Sequence, residues 1–305
     1  MRMTKLIKSV ALGAAALGIL VFAGCGSSPQ ETGEPHYKIG IVQLVEHSAL
    51  DDASRGFVDG LKTRGFEEGK NVAIDRQNAQ ADQSNLQNIV QRFISDKVNL
   101  ICAIATPSVQ SAANATKEIP IVGTAVTDYV SAKVVQSSEM PGGNVTGTSD
   151  MSPISDQIDL LLKLYPNAKT IGTIYSSSEV NSEIQVKEMT EYAAAKGLTV
   201  RTATISTVND IPQAAQSLVS DVDVFYEPSD NVIASAMPTL VSVTDPAGKG
   251  VICAASTMVA AGGLATYGID YYKLGVQTGE MAADILEGKR KPSEMKIETA
   301  RDLMV

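Results

Sequence analysis

The sequence is poor in the residue types that most enzyme chemistry needs. Its 305 residues include no Trp, 2 His and 3 Cys, and aromatic residues make up only 5%. No Cys/His cluster has metal-ligand spacing, and the chain contains no phosphate-binding glycine motif and no Gly-x-Ser-x-Gly nucleophile motif. Cys102 and Cys253 fall in apolar runs of different halves, so we expect two buried free thiols. The sequence therefore disfavours an enzyme, and we expect no metal and no cofactor.

The chain also lacks an excess of positive charge. It carries 25 Lys and Arg against 34 Asp and Glu, a formal net charge of −9. Nucleic-acid phosphates would repel such a surface, so we expect no nucleic-acid partner. The length is sufficient for two domains, each with its own core.

The N-terminus carries a targeting pattern. Basic residues in the first eight positions precede an apolar run at 10–22 that is too short to span a membrane comfortably. The sequence that ends at Cys25 resembles a bacterial lipobox, which implies lipid attachment to Cys25. We expect a signal peptide at 1–24 and a flexible, lipid-anchored tether at 25–36. The mature protein is expected to work outside the cytoplasm, anchored to the cell membrane.

The rest of the chain shows an internal duplication. Both halves run strand, helix, strand, helix, strand, Pro-Ser loop, helix, strand, and the two loops follow apolar runs at Leu100–Ala105 and Val222–Tyr226. This alternation predicts two α/β lobes, each with a doubly wound parallel sheet. We assign 37–147 plus 257–288 to lobe one and 148–256 plus 289–305 to lobe two. Repeated crossings of this kind predict a multi-strand hinge.

The polar residues that most strongly suggest a ligand site lie in the second Pro-Ser loop. Ser229, Asp230 and Asn231 follow a predicted strand, and ligands of open α/β sheets bind at the carboxyl ends of strands. An Asp there can hold a cation such as an ammonium group. The alternative is that Asp230 or Ser229 only caps the next helix.

Two motifs carry a family resemblance. Glu227-Pro-Ser-Asp-Asn231 and Gly268-Ile-Asp-Tyr-Tyr-Lys-Leu-Gly275, with the lipobox and the duplicated lobes, resemble ABC-transporter substrate-binding lipoproteins. The resemblance is to the family that includes the tryptophan- and aromatic-amino-acid-binding proteins of bacterial importers. It implies the fold of type I periplasmic binding proteins and a small ligand, an amino acid with aromatic ones favoured. It further implies a monomer that delivers this ligand to an ABC permease and its ATPase.

The resemblance also implies a ligand site in the cleft between the lobes. Thr106 and Ser108 would hold the ligand's carboxylate, Asp230 would hold its ammonium, and Asn231 would brace the loop. The other expected binding residues are Gln43, His47, Asp51, Thr127, Asp128, Tyr175, Ser176, Ser256 and Tyr271. Structural roles remain open for some of them: Ser108 as a helix cap, Asp128 in a turn, His47 at the surface and Tyr271 in hinge packing.

Alternatives to an amino-acid importer remain at this point. The protein could be a ligand sensor coupled to a membrane receptor, or could serve an importer of a sugar or nucleoside. The scarcity of aromatic residues counts against a sugar more than against a zwitterion, which is recognised mainly by charge pairs and hydrogen bonds. We expect Asp230→Ala to remove binding without unfolding the protein, because its loop is expected to be exposed.

Overall fold

The computed structural model describes residues 36–301 and 303–304. The expected signal peptide, Cys25 and nearly all of the expected tether lie outside the described residues. Within the described part, no helix is both long and apolar enough to cross a bilayer.

Strands and helices alternate along the described chain. The strands are β1 (Tyr37–Gln43), β2 (Val72–Asn78), β3 (Leu100–Ile104), β4 (Ile121–Val126), β5 (Val145–Ser149), β6 (Thr170–Ser176), β7 (Thr199–Ile205), β8 (Val224–Glu227), β9 (Val251–Cys253), β10 (Gly268–Ile269), β11 (Glu298–Thr299) and β12 (Leu303–Met304). The helices are α1 (Ser48–Thr63), α2 (Gln83–Ser95), α3 (Thr106–Ala115), α4 (Ile154–Leu164), α5 (Val180–Ala195), α6 (Ile211–Leu218), α7 (Asn231–Ser235), α8 (Met237–Thr244), α9 (Ser256–Ala260) and α10 (Tyr271–Leu286). Short 3-10 helices lie at Val208–Asp210 and Pro292–Glu294.

Ten of the described strands form two parallel sheets, one in each lobe. The first sheet has the order β2-β1-β3-β4-β5-β11 and the second has the order β7-β6-β8-β9. Parallel neighbours need crossover connections, which the helices provide, and strands buried on both faces are continuously apolar, as β3 is. The predicted architecture of two α/β lobes with parallel sheets is confirmed. Cys102 and Cys253 are buried and free, as expected.

The C-terminal tail departs from the expectation that 289–305 belongs to lobe two. β11 pairs with β5 in the first sheet, and the hydroxyl of Thr146 donates to the backbone oxygen of Met295 at 2.8 Å. β5 itself, which the expected boundary between 147 and 148 divides between the lobes, lies between β4 and β11 in the first sheet. The tail covers a sheet edge that would otherwise expose unpaired backbone groups, and local sequence patterns do not reveal which edge that is. β12 then pairs antiparallel with β10.

Two helices of the first lobe pack with their backbones in contact. Gly56 and Gly60 of α1 face α10, and Gly275 and Gly279 of α10 face α1. A Cβ atom at Gly279 would lie 2.3 Å from the backbone oxygen of Phe57, which no real contact permits. The helices can therefore approach this closely only because these positions carry no side chain.

We expect Gly279→Ala to lower the free energy of unfolding by about 2 kcal/mol, because the new methyl forces the two backbones apart. Urea denaturation measures this change. Gly143→Ala is the matched control, since a Cβ at that position would meet no described atom within 4 Å. Equal unfolding midpoints for the two variants would contradict the close packing of α1 on α10.

Candidate ligand-binding site

A cavity lies between the lobes, where the carboxyl ends of strands from both sheets face each other. In this structure the centre of a water-sized sphere can reach about 20 Å³ of it, which is room for about one water molecule, so a larger ligand can enter only when the lobes separate. The first lobe and the start of α10 contribute His47, Ala49, Leu50, Ala125, Thr127, Asp150 and Tyr271. The second lobe contributes Asn181, Ser229, Asn231, Ala234 and Ala255, together with Thr257 and Met258 of α9, which packs on β9 of the second sheet although 257–288 was expected to belong to lobe one.

Hydrogen bonds cross between the lobes beside this cavity. The Nε2 atom of His47 lies 3.2 Å from the side-chain oxygen of Asn231. The side-chain amide of Gln185, on α5, donates to the hydroxyl of Thr127 at 3.3 Å. The lobes are therefore closed upon each other in this structure.

Asp150 is the acidic group of the cavity. Its side chain is buried, and one carboxylate oxygen accepts a hydrogen bond from the Tyr271 hydroxyl at 2.8 Å. The other oxygen, Oδ1, is buried and has no hydrogen-bond partner within the described residues. Burial raises the pKa of Asp150 to about 6, although the hydrogen bond from Tyr271 acts in the opposite direction. Among the described residues that line the cavity, none is Lys or Arg, so no basic side chain there can balance this carboxylate.

Two asparagine amides form the wall opposite Asp150, and Glu179 holds both. The side-chain nitrogens of Asn181 and Asn231 donate to its carboxylate. The oxygen of Asn231 then meets His47, while the oxygen of Asn181 is buried with no partner in the described part of the chain. Burial lowers the pKa of His47, so its ring is neutral at pH 7 and donates its Nε2 proton to Asn231.

The remaining lining is mostly apolar. Small and aliphatic side chains cover it, together with the buried ring of Tyr271. The Thr257 hydroxyl is a further buried polar group without a partner among the described residues. The cavity therefore combines a cluster of unmet hydrogen-bonding groups with an apolar surface, as expected of a site for an amphipathic molecule.

The structure brings four of the expected binding residues to this cavity: His47, Thr127, Asn231 and Tyr271. Gln43 and Asp51 do not line it. They bond to each other at 2.7 Å and line an open groove on the first lobe instead. Gln43 also donates to the backbone oxygen of Val45 at 2.9 Å, so its amide is engaged within the first lobe.

Asp230, the expected ammonium partner, is occupied within the second lobe. Its side chain has no solvent exposure, and one oxygen accepts from the backbone N–H of Ile233 at 2.9 Å, as a helix cap. The other oxygen accepts from the backbone N–H of Ser176 and the hydroxyl of Ser182, both at 2.7 Å. The geometry therefore shows Asp230 in its alternative role as a helix cap. The backbone N–H of Ser176 donates to Asp230, so Ser176 serves to fix that side chain.

The other expected residues also lie away from the cavity lining. Asp128 accepts hydrogen bonds from the backbone of Val130 and Ser131, as a turn residue does. The remaining four are Thr106 and Ser108, which are buried in the first turn of α3, half-buried Tyr175, and Ser256 at the start of α9.

Asp150 and Asn181 are the two cavity residues missed by sequence reasoning that matter most for the chemistry of the site. Asp150 directly follows β5, but the expected boundary between 147 and 148 assigned Asp150 to the second lobe and hid its place at the carboxyl edge of the first sheet. Asn181 belongs to the polar segment after β6, where position alone does not separate it from its neighbours Glu179 and Ser182. An Asp at the end of a strand was the available signal.

Comparisons with known proteins agree with this geometry. The family described as ABC transporter substrate binding protein matches residues 38–305. A tyrosine-binding protein of Clostridioides difficile (strain R20291) is 46% identical over 285 residues, which is 90% of this chain and 83% of that protein. The structure of an ABC domain from Streptococcus pneumonia in complex with L-Trp is 40% identical, covers 87% of this chain and 89% of its own, and gives a TM-score of 0.84.

A ligand-free, open substrate-binding protein from Clostridium difficile provides a contrast. It is 48% identical and covers 88% of this chain and 90% of its own, yet its TM-score is only 0.67. The lower TM-score at higher identity agrees with the closed lobes seen here. More distant solute-binding proteins share the type I periplasmic-binding fold alone. Because the family model matches nearly all of the described residues, the chain belongs to the family of ABC transporter substrate-binding proteins.

Proposed function

We propose that this protein captures an aromatic amino acid in the cavity between its lobes and delivers it to an ABC importer. The observation that carries the proposal is the buried, unpartnered Oδ1 of Asp150, in a cavity whose described lining includes no Lys or Arg. A ligand that brings its own positive charge would neutralise this carboxylate, and the α-ammonium group of an amino acid does so.

The cavity lining offers an ammonium group two candidate acceptors. Asp150 Oδ1 and Asn181 Oδ1 both lack hydrogen-bond partners among the described residues, and an ammonium group has three protons to donate. A charge-assisted bond to Asp150 would be the strongest single contact.

The ligand's carboxylate fits the start of α1. This helix spans 16 residues, its first turn lines the cavity through Ala49 and Leu50, and the His47 side chain makes no capping bond there. The first N–H groups of a helix have no partners within it, and its positive end attracts anions.

The ligand's side chain fits the apolar lining. Leu50, Met258 and the ring of Tyr271 can pack against an aromatic ring. The similar C. difficile protein is named for tyrosine, and the similar Streptococcus structure holds L-Trp. These names support an aromatic side chain over an aliphatic one.

A thermal-shift screen tests the proposal, using soluble protein that begins at Gly26 and has been refolded to remove any ligand it carries. Tyrosine, tryptophan and phenylalanine should raise the melting temperature in a concentration-dependent way, since a ligand at 100 times its Kd stabilises by about 2.7 kcal/mol. Stabilisation by a sugar or nucleoside, with none by an aromatic amino acid, would overturn it.

The remaining parts of the proposal concern the cellular setting. We infer that a lipid on Cys25 anchors the mature protein to the membrane, that it acts as a monomer with the permease and ATPase of an importer, and that it returns its ligand chemically unchanged. Fractionation of cells that express Cys25→Ser tests the anchor, because the variant should leave the membrane fraction. Chemical alteration of tyrosine during incubation would contradict a pure binding role.

A further inference from the structure

Glu179 lies behind the cavity wall without lining it, and it contacts both of the amides that do line it. We propose that Glu179 is a positioning residue that fixes the orientation of the Asn181 and Asn231 amides and thereby makes the second-lobe wall an acceptor of the ligand's ammonium group. This inference rests on the proposed function. It identifies the feature of the second-lobe wall that selects a ligand with an ammonium group.

The contacts of Glu179 are all with hydrogen-bond donors. One oxygen accepts from the backbone N–H groups of Asn231 and Val232, at 3.1 and 3.2 Å. The other accepts from the side-chain nitrogen of Asn181 at 2.9 Å and from that of Asn231. The side chain is only 2% exposed, so water does not substitute for these partners.

These contacts fix the direction of each amide. An ionised carboxylate only accepts hydrogen bonds, so an amide that faces it must present its NH₂ group and point its oxygen the other way. The Asn181 nitrogen also donates to the backbone oxygen of Ser229 at 3.1 Å, a second acceptor on the same side. The Asn181 oxygen is consequently left buried at the cavity, with no partner among the described residues.

The ionised form of Glu179 is the one that fits this arrangement. Burial and the neighbouring Asp230 carboxylate raise its pKa, while the bonds from Asn181 and Asn231 act in the opposite direction. Both oxygens are already approached by N–H groups, so a proton on either one would find no acceptor. The negative charge is thus held in place by donors that include both cavity amides.

The same arrangement serves the contact between the lobes. Because the Asn231 nitrogen is committed to Glu179, its oxygen is free to accept the Nε2 proton of neutral His47. One buried carboxylate therefore orients an acceptor for the ligand and an acceptor for the opposite lobe.

The test is Glu179→Gln, which replaces one acceptor oxygen with an NH₂ group. That group would face N–H donors, and rotation of an asparagine amide relieves the conflict by turning its nitrogen toward the cavity. An ammonium group would then meet a donor, whereas a ligand without an ammonium group would lose nothing. The informative quantity is the ratio of the Kd values for tyrosine and 3-(4-hydroxyphenyl)propionate, which lacks only the ammonium group.

Calorimetric titration with both compounds gives this ratio for protein that begins at Gly26. We expect wild-type protein to prefer tyrosine, and Glu179→Gln to reduce the preference about tenfold, through weaker tyrosine binding. Glu227→Gln is the control. Glu227 is a buried acid of the same lobe that accepts one bond, from the backbone N–H of Ile174, and makes no described hydrogen bond to the cavity amides. This control should keep the wild-type ratio.

An unchanged ratio in folded Glu179→Gln would overturn the inference, even if both compounds bound more weakly. Should that variant fail to fold, Asn181→Leu removes the acceptor itself and should reduce the ratio by a similar factor; an unchanged ratio there would also overturn it. Wild-type protein that binds neither compound, or that shows no preference for tyrosine, would instead overturn the proposed function on which the inference rests.

Discussion

Asp150→Asn is expected to weaken tyrosine binding about 100-fold, which corresponds to about 3 kcal/mol. The substitution keeps the shape and the bond from Tyr271 but removes the negative charge that faces the ligand's ammonium group. The effect is large because Asp150 is 3% exposed, so water screens the pair little. Titration calorimetry on the folded variant measures it.

Asp128→Asn is the matched control for this loss. Asp128 was expected from the sequence to bind ligand, but it accepts hydrogen bonds from its own turn and does not line the cavity. Its substitution should leave the Kd of tyrosine within about twofold, as is usual for a surface change. A loss in Asp128→Asn and none in Asp150→Asn would show that the ammonium group lies elsewhere.

The pH dependence of binding provides an independent check on Asp150. Its pKa of about 6 means that the carboxyl group becomes protonated as the pH falls below that value. Only the ionised form pairs with an ammonium group, so tyrosine affinity should fall with decreasing pH below about 6 and stay level above it until the ligand's own ammonium group loses its proton at alkaline pH. Burial lowers the pKa of His47 and raises that of Tyr271, so both are neutral at and above pH 7. Asp150→Asn should flatten the profile, and an unchanged slope would assign it to another group.

Asp230→Ala is expected to lower the free energy of unfolding by about 3 kcal/mol, because buried donors left without acceptors are costly. The lost carboxylate satisfies the backbone N–H groups of Ser176 and Ile233 and the hydroxyl of Ser182. Urea denaturation should show a lower midpoint. This replaces the expectation from sequence that the variant folds normally and only loses binding.

Asp210→Ala is the control for the stability effect. Asp210 also accepts backbone N–H bonds at the start of a helical segment, from Ser206 and Thr207, but it is exposed, so water can replace it. Its loss should cost about 1 kcal/mol. Wild-type stability in Asp230→Ala together with lost tyrosine binding would return Asp230 to the ligand site.

The sequence by itself determined the alternation of strands and helices, the two lobes and the family. These features depend on neighbouring residues: an apolar run such as β3 is recognisable as a buried strand, and Pro107 marks the helix that follows. The loop after β8 was also correctly placed at the cavity, because loops at the carboxyl ends of parallel strands meet there.

Only the tertiary structure decided which side chains of those loops face the cavity. Asp230 and Asn231 are adjacent in the chain, yet the first bonds into its own lobe, to Ser176 and Ser182, while the second reaches the cavity from its contact with Glu179. The hydrogen-bond partners that orient Asp230 and Asn231 lie about fifty residues away in the chain. Local sequence patterns do not reveal that these partners are close in space. Asp150 likewise reaches the cavity because β5 pairs with β4 and β11, a long-range registration that no local period specifies.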